Sequence, residues 1–92
     1  MPVRLSVSRH AFRRLLERGI SLDEVKAAIT SGVVIREYPH DRPLPSNLYL
    51  GDSAGRPLHV VAAWDPEIQG WRVITAYWPD VEIWESDFRT KR

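Results

Sequence analysis

The chain has no cysteine, only two lysines (Lys26 and Lys91) and no long uninterrupted apolar stretch. Without cysteine, disulfides and thiolate zinc sites are excluded. No apolar run approaches the roughly 20 residues that a membrane span needs. The opening Met-Pro-Val-Arg-Leu-Ser lacks the apolar core of a signal peptide. A cytoplasmic protein without a membrane partner is therefore expected. Phosphate-cradling glycine loops are missing too, because Gly51, Gly55 and Gly70 stand singly in turns. Three histidines with no i,i+4 pair make a poor ligand set, so no metal and no cofactor are expected. Nor is a Ser/His/Asp or Cys/His nucleophile set evident.

What is present is a chain of 92 residues, 43% hydrophobic and rich in arginine. Residues 1–92 read as a single domain. A domain of this size buries only about 60% of its unfolded surface, so its core must be built economically. The net charge of +1 hides a strong layout. Residues 1–18 carry five arginines against Glu17, whereas residues 65–88 carry six acids against Arg72. This is a dipolar domain, not a uniformly basic nucleic-acid binder.

Ala11, Phe12, Leu15 and Leu16 recur with helical spacing after Ser8 and are expected to form one apolar stripe, ended by a left-handed Gly19. Ser21 with Glu24 is a capping box that starts a second helix, whose apolar residues are Leu22, Val25, Ala28 and Ile29 and which ends at Gly32. Val33–Tyr38 is β-branched and stopped by Pro39, so it reads as a strand. Residues 39–47 hold three prolines and cannot be regular. Three more strands are expected at Leu48–Gly51, Leu58–Trp64 and Trp71–Trp78, and residues 81–88 form a short helix or an ordered arm. The predicted fold class is α+β: two N-terminal helices, paired as a tight hairpin, on one face of a four-stranded antiparallel sheet. The other face would be partly open, a plausible surface for a ligand.

Several side chains could carry chemistry on this frame. His10, Arg14 and Arg18 fall at i, i+4 and i+8, one ridge beside the apolar stripe. Planar arginine donors suit phosphate, and a histidine can move protons near neutral pH. The alternative is that the arginines pair with acids of the sheet. His59 lies mid-strand among apolar residues, where a hydrogen-bonded structural role competes with a catalytic one. Strict alternation groups Trp71, Val73, Thr75 and Tyr77 on one side of the last strand. Arg56, His59 and Tyr77 on neighbouring strands could hold a phosphodiester. The four tryptophans read first as core filling.

The stretches His10-Ala11-x-x-Arg14-x-x-x-Arg18-Gly19-Ile20, the strand with Val33, Ile35, Tyr38 and Pro39, Gly55-Arg56-Pro57-Leu58-His59-Val60-Val61, Ile74-Thr75-x-Tyr77-x-Pro79-Asp80 and Trp84-x-x-Asp87-Phe88 together resemble a prokaryotic domain-of-unknown-function family grouped with the RelE, BrnT and MqsR toxin-like folds. The likeness spans roughly residues 6–89. It implies a RelE-like fold and a toxin-like component of a type II toxin–antitoxin system, acting as a metal-independent mRNA endoribonuclease. It further implies an antitoxin partner, in some cases a zinc-finger protein of the MqsA type, and admits RNA as ligand and a homodimer as assembly. His59, Tyr77 and His10 would then be catalytic, and Arg14, Arg18, Arg56 and Arg72 would bind substrate. Such nucleases usually place lysine, arginine, tyrosine, glutamate or histidine on the sheet, and neither lysine of this chain falls on a predicted strand. The competing expectation is a non-catalytic module that binds a protein or small ligand with the same face.

Overall fold

The computed structural model describes residues 3–92 and is α+β, as expected. Its order is β1 (Leu5–Val7), α1 (Arg9–Arg18), α2 (Leu22–Ser31), β2 (Val33–Tyr38), β3 (Ser46–Ser53), β4 (Arg56–Asp65) and β5 (Gly70–Tyr77). The sheet has five strands in the order β1-β5-β4-β3-β2. It is mixed, because β1 runs parallel to β5 while the other neighbours are antiparallel. The expected four-stranded antiparallel sheet is thus corrected by one short strand. Three residues carry too little alternation to announce a strand, and the partner of β1 lies more than 60 positions away.

Local signals set the helices. The Ser8 side chain accepts from the Ala11 amide and caps α1, and Gly19 ends it at φ 66°. A Cβ is strained in that left-handed geometry. The capping box of α2 is formed in both directions between Ser21 and Glu24. The helices settle on different strands, α1 on β5 and α2 on β3 and β4, so they meet the sheet more than each other. Close approach of α2 to β3 requires Gly51, since a Cβ there would sit 2.6 Å from the Ala28 Cβ.

The core lies between sheet and helices and contains Leu15, Val25, Ala28, Leu58, Val60, Ala62, Val73 and Ala76. Two expectations fail here. Phe12 and Leu16 are exposed, because α1 meets the sheet through Ala11 and Leu15. Strict alternation along β5 also breaks. Val61 pairs with Thr75 and Ala62 with Val73, which leaves Ile74 as an extra residue. Such a bulge shifts the inside–outside phase of the strand. Val73 and Ala76 therefore both enter the core, while Tyr77 stands opposite His59 on the other face.

That other face is not simply open. After β5 the chain turns back as an irregular arm with no helix. The arm closes on itself through a Trp84–Lys91 bridge, with Glu85 N donating to Thr90 O at 2.8 Å and Arg92 N to Ile83 O at 2.8 Å. It buries Trp84 to 4% exposure. Among the described residues no helix is long and apolar enough to cross a membrane.

Candidate functional site: a cleft between the sheet and the C-terminal arm

His59 is the hinge between sheet and arm. It has no solvent exposure. Its ring meets Trp84 edge to face at 4.6 Å between centroids and Tyr77 at 5.3 Å. Nε2 lies 2.8 Å from the Phe88 carbonyl oxygen and Nδ1 lies 3.3 Å from the Tyr77 hydroxyl. Burial holds the imidazole below its usual range, partly opposed by the Phe88 carbonyl. The ring is therefore neutral near pH 7. A carbonyl can only accept, so Nε2 carries the hydrogen and Nδ1 accepts from Tyr77. Burial also pushes the Tyr77 phenol up, with Tyr38 adding to the rise and Arg36 opposing it.

Beside this pair the sheet and the arm enclose a cleft of about 370 Å³. Its polar walls are Arg36 and Tyr38 from β2, Tyr77 from β5 and Lys91 from the arm. Leu48, Ile83 and Trp84 supply the apolar lining. The Arg36 guanidinium carbon lies 5.7 Å from the centre of the Trp84 ring, a cation–π distance that steadies it at the mouth. Two cations and two phenols with no carboxylate among them suit an anion, and the aromatic lining suits a base. A second cleft, of about 400 Å³, lies beside α2 against Val33, Pro57 and Phe88. Its charged groups are Asp52 and Asp87, which disfavour an anion there.

The sequence-predicted residues divide between these places. His59 and Tyr77 come together. Arg18 and Arg56 share one end of the sheet but serve packing. Arg18 donates to the Ala76 carbonyl at 2.8 Å and to Thr75 at 3.3 Å, its own carbonyl accepts from Trp78 Nε1 at 2.7 Å, and Arg56 stacks on Trp78 at 3.8 Å. Arg72 sits at the far end of β5, bonded to Asp65 at 2.6 Å. That bond is the main reason the Asp65 carboxyl is held below its usual range. His10 and Arg14 are exposed on α1, with Arg14 4.0 Å from Glu17. None of these five lines the cleft. Arg36, Tyr38, Trp84 and Lys91 were not singled out as site residues. The i,i+2 spacing of Arg36 and Tyr38 on one strand face was an available signal, whereas nothing local announces Lys91.

The molecule is thus an α+β domain with a basic, phenol-lined cleft between its sheet and a folded-back arm. The chain belongs to the DUF4258 family, a domain of unknown function, whose model matches residues 7–78. The matched span includes Arg36, Tyr38, His59 and Tyr77 and stops short of the arm. No curated protein and no solved structure gives a significant match.

Proposed function

We propose that the domain is a toxin-like endoribonuclease of a type II toxin–antitoxin pair, cutting single-stranded mRNA in the cleft without a metal. The observation that carries the reading is the convergence of Arg36, Lys91, Tyr38 and Tyr77 beside a buried, neutral His59. Arg36 offers planar donors to the non-bridging phosphate oxygens, and Lys91 adds a point charge. Both favour the extra negative charge of the transition state. A base can lie against the half-buried Tyr38. The 2′-hydroxyl attacks phosphorus, and its proton passes to the Tyr77 oxygen as the Tyr77 proton passes to His59 Nδ1. Low basicity keeps His59 free to accept, and the Phe88 carbonyl steadies the imidazolium formed. The 5′-oxygen leaves as a hydroxyl with a proton from the Lys91 ammonium, and a 2′,3′-cyclic phosphate remains; His59 then loses its proton to solvent through Tyr77, and Lys91 regains one from solvent. His59 thus acts through Tyr77 and not on RNA itself, while His10, Arg14, Arg18, Arg56 and Arg72 hold no substrate. The neutralising partner on this reading is an antitoxin protein.

The test is induction in cells with mapping of RNA ends, followed by cleavage of an RNA oligonucleotide by purified protein. Tyr77→Phe and Arg36→Ala each lower cleavage at least about 100-fold, and Arg14→Ala leaves it unchanged. Cleavage that survives Tyr77→Phe sinks the relay. A second reading, a non-catalytic binding module, is favoured by one observation: both His59 nitrogens already have partners and the ring is out of water. On that reading RNA ends do not change on induction, and binding to RNA is absent or ignores salt.

A further inference from the structure

Of the stretch Trp84-x-x-Asp87-Phe88, only Trp84 lines the cleft; Asp87 and Phe88 face away from it, toward the second cleft beside α2. The Phe88 backbone lies in the left-handed region at φ 56°, which is sterically disfavoured for a residue with a Cβ. Such a conformation persists only where its surroundings impose it. The Asp87 carboxylate does so here. Its Oδ1 accepts from the Arg89 amide at 2.9 Å and the Thr90 amide at 3.0 Å, and its Oδ2 accepts from the Thr90 hydroxyl at 3.0 Å. Phe88 N donates to Glu85 O at 2.9 Å, so the loop is tied on both sides of the Phe88 carbonyl.

That carbonyl is the one 2.8 Å from His59 Nε2. The partner of one ring nitrogen decides which nitrogen carries the proton, so the aim of the Phe88 carbonyl sets the tautomer of the buried imidazole. Among the described residues no cation lies within ion-pair distance of Asp87, and its carboxylate is given wholly to the turn. The Arg89 and Thr90 amides hold the Asp87 carboxyl below its usual range, so it is ionised near neutral pH and keeps these bonds.

We infer that Asp87 is a positioning residue: it fixes the Phe88 backbone so that the Phe88 carbonyl takes the hydrogen on His59 Nε2, leaving Nδ1 as the acceptor that faces Tyr77. Asp87 lies outside the cleft and acts through the turn. The tautomer is a property of the free protein and holds whether or not the cleft cuts RNA. Its consequence for cleavage rests on the proposed relay, in which Nδ1 must be bare to take the Tyr77 proton.

Nitrogen NMR of isotope-labelled protein at about pH 7.5 tests this, with the His59 signals assigned by their loss in His59→Gln. In the wild type Nε2 reads as a ring N–H and Nδ1 as a bare nitrogen. Asp87→Ala removes all three bonds of the carboxylate, and the two nitrogens move toward a common shift as both tautomers become populated. Asp87→Asn keeps the oxygen that the amides use and restores the wild-type pair of shifts. Glu85 N–Thr90 O and Arg92 N–Ile83 O do not involve Asp87, so the arm of Asp87→Ala resists trypsin as the wild type does. Two changes at Phe88 test the backbone separately. Phe88→Asn tolerates the left-handed region and keeps the pair of shifts, whereas the β-branched Phe88→Val loses it. A wild type with its hydrogen on Nδ1, wild-type shifts in Asp87→Ala, an Asp87→Ala arm that opens to trypsin, or equal shifts in Phe88→Asn and Phe88→Val overturns the inference. In RNA cleavage Asp87→Ala lowers kcat at least about tenfold and Asp87→Asn recovers it. A wild type that cuts no RNA counts against the nuclease alone, and the NMR shifts still decide the role of Asp87.

Discussion

The face of the sheet under the helices holds Leu58, Val60, Ala62, Val73 and Ala76, each at most 4% exposed and none bearing a polar side-chain atom. The face under the arm holds His59 and Tyr77, joined to each other by a hydrogen bond and an edge-to-face contact, and His59 joins the arm through one hydrogen bond to Phe88 and one edge-to-face contact with Trp84. These neighbours alternate along the same two strands, so the chain is equally buried at Leu58, His59 and Val60 yet held there differently. The helical side is stabilised by apolar area, at about 25 cal/mol per Å², and is indifferent to pH. The arm side combines a few rings with hydrogen bonds that each contribute about 1 kcal/mol net. A segment fixed by few contacts opens more readily than a core. Function fits the second kind of surface, where polar groups can be reached and aimed.

Cutting into each face separates them. Leu58→Ala leaves a cavity beneath α1 and α2 and is expected to cost about 2–5 kcal/mol in global stability. Urea denaturation followed by tryptophan fluorescence and by circular dichroism measures it. Both probes should move together, because the helical face belongs to the cooperative unit.

Trp84→Ala acts on the arm face and is expected to cost less, about 1–2 kcal/mol, because the arm can leave without opening the core. Its signature is local. Trypsin cuts after Arg89 and Lys91 well before it digests the helices, whereas the wild type holds Thr90 and Lys91 within the arm through the Trp84–Lys91 bridge and the Asp87 side chain. Equal protection of the arm in wild type and variant would show that Trp84 does not anchor it.

The same contrast explains what could be read from the chain alone. Ser8, Gly19, Ser21 and Glu24 act on residues within four positions, so both helices were legible. The hairpin strands were legible from alternation and turn residues, apart from the phase shift at Ile74. The family resemblance pointed to His59 and Tyr77, and the registry of β4 and β5 places them together. The cleft was not legible. Arg36 and Lys91 are 55 positions apart, and what brings them together is the return of the arm over His59, a tertiary event with no periodic signature. His10 and Arg14 show the converse. Their helical spacing makes a ridge on paper, but α1 turns Ala11 and Leu15 to the sheet and leaves that ridge in water. Spacing gives the face of a helix and not what lies opposite it.

The smallest expected effect is the most specific to the arm face. His59 is held below the 6.5 of a free imidazole, chiefly by burial. Between its folded value and about 6.5 the unfolded chain binds more protons than the folded one, so stability rises with pH there. The wild type should lose stability as pH falls below about 6.5, with a slope of at most about 1.4 kcal/mol per pH unit. The lowered carboxylates Glu24, Asp65 and Asp87 contribute fully above the ordinary carboxylate range and lose their contribution only as pH falls through it, which is a separate window. His59→Gln can serve Tyr77 or Phe88 with its amide but does not titrate. Its stability should therefore be lower at pH 7.5 and flatter from pH 7 to 5 than that of the wild type, measured as urea midpoints across that range. His10 and His40 are common to both proteins and cancel in the difference. Parallel curves for the two would mean that His59 is not the group that senses acid and that burial does not hold its imidazole below the usual range.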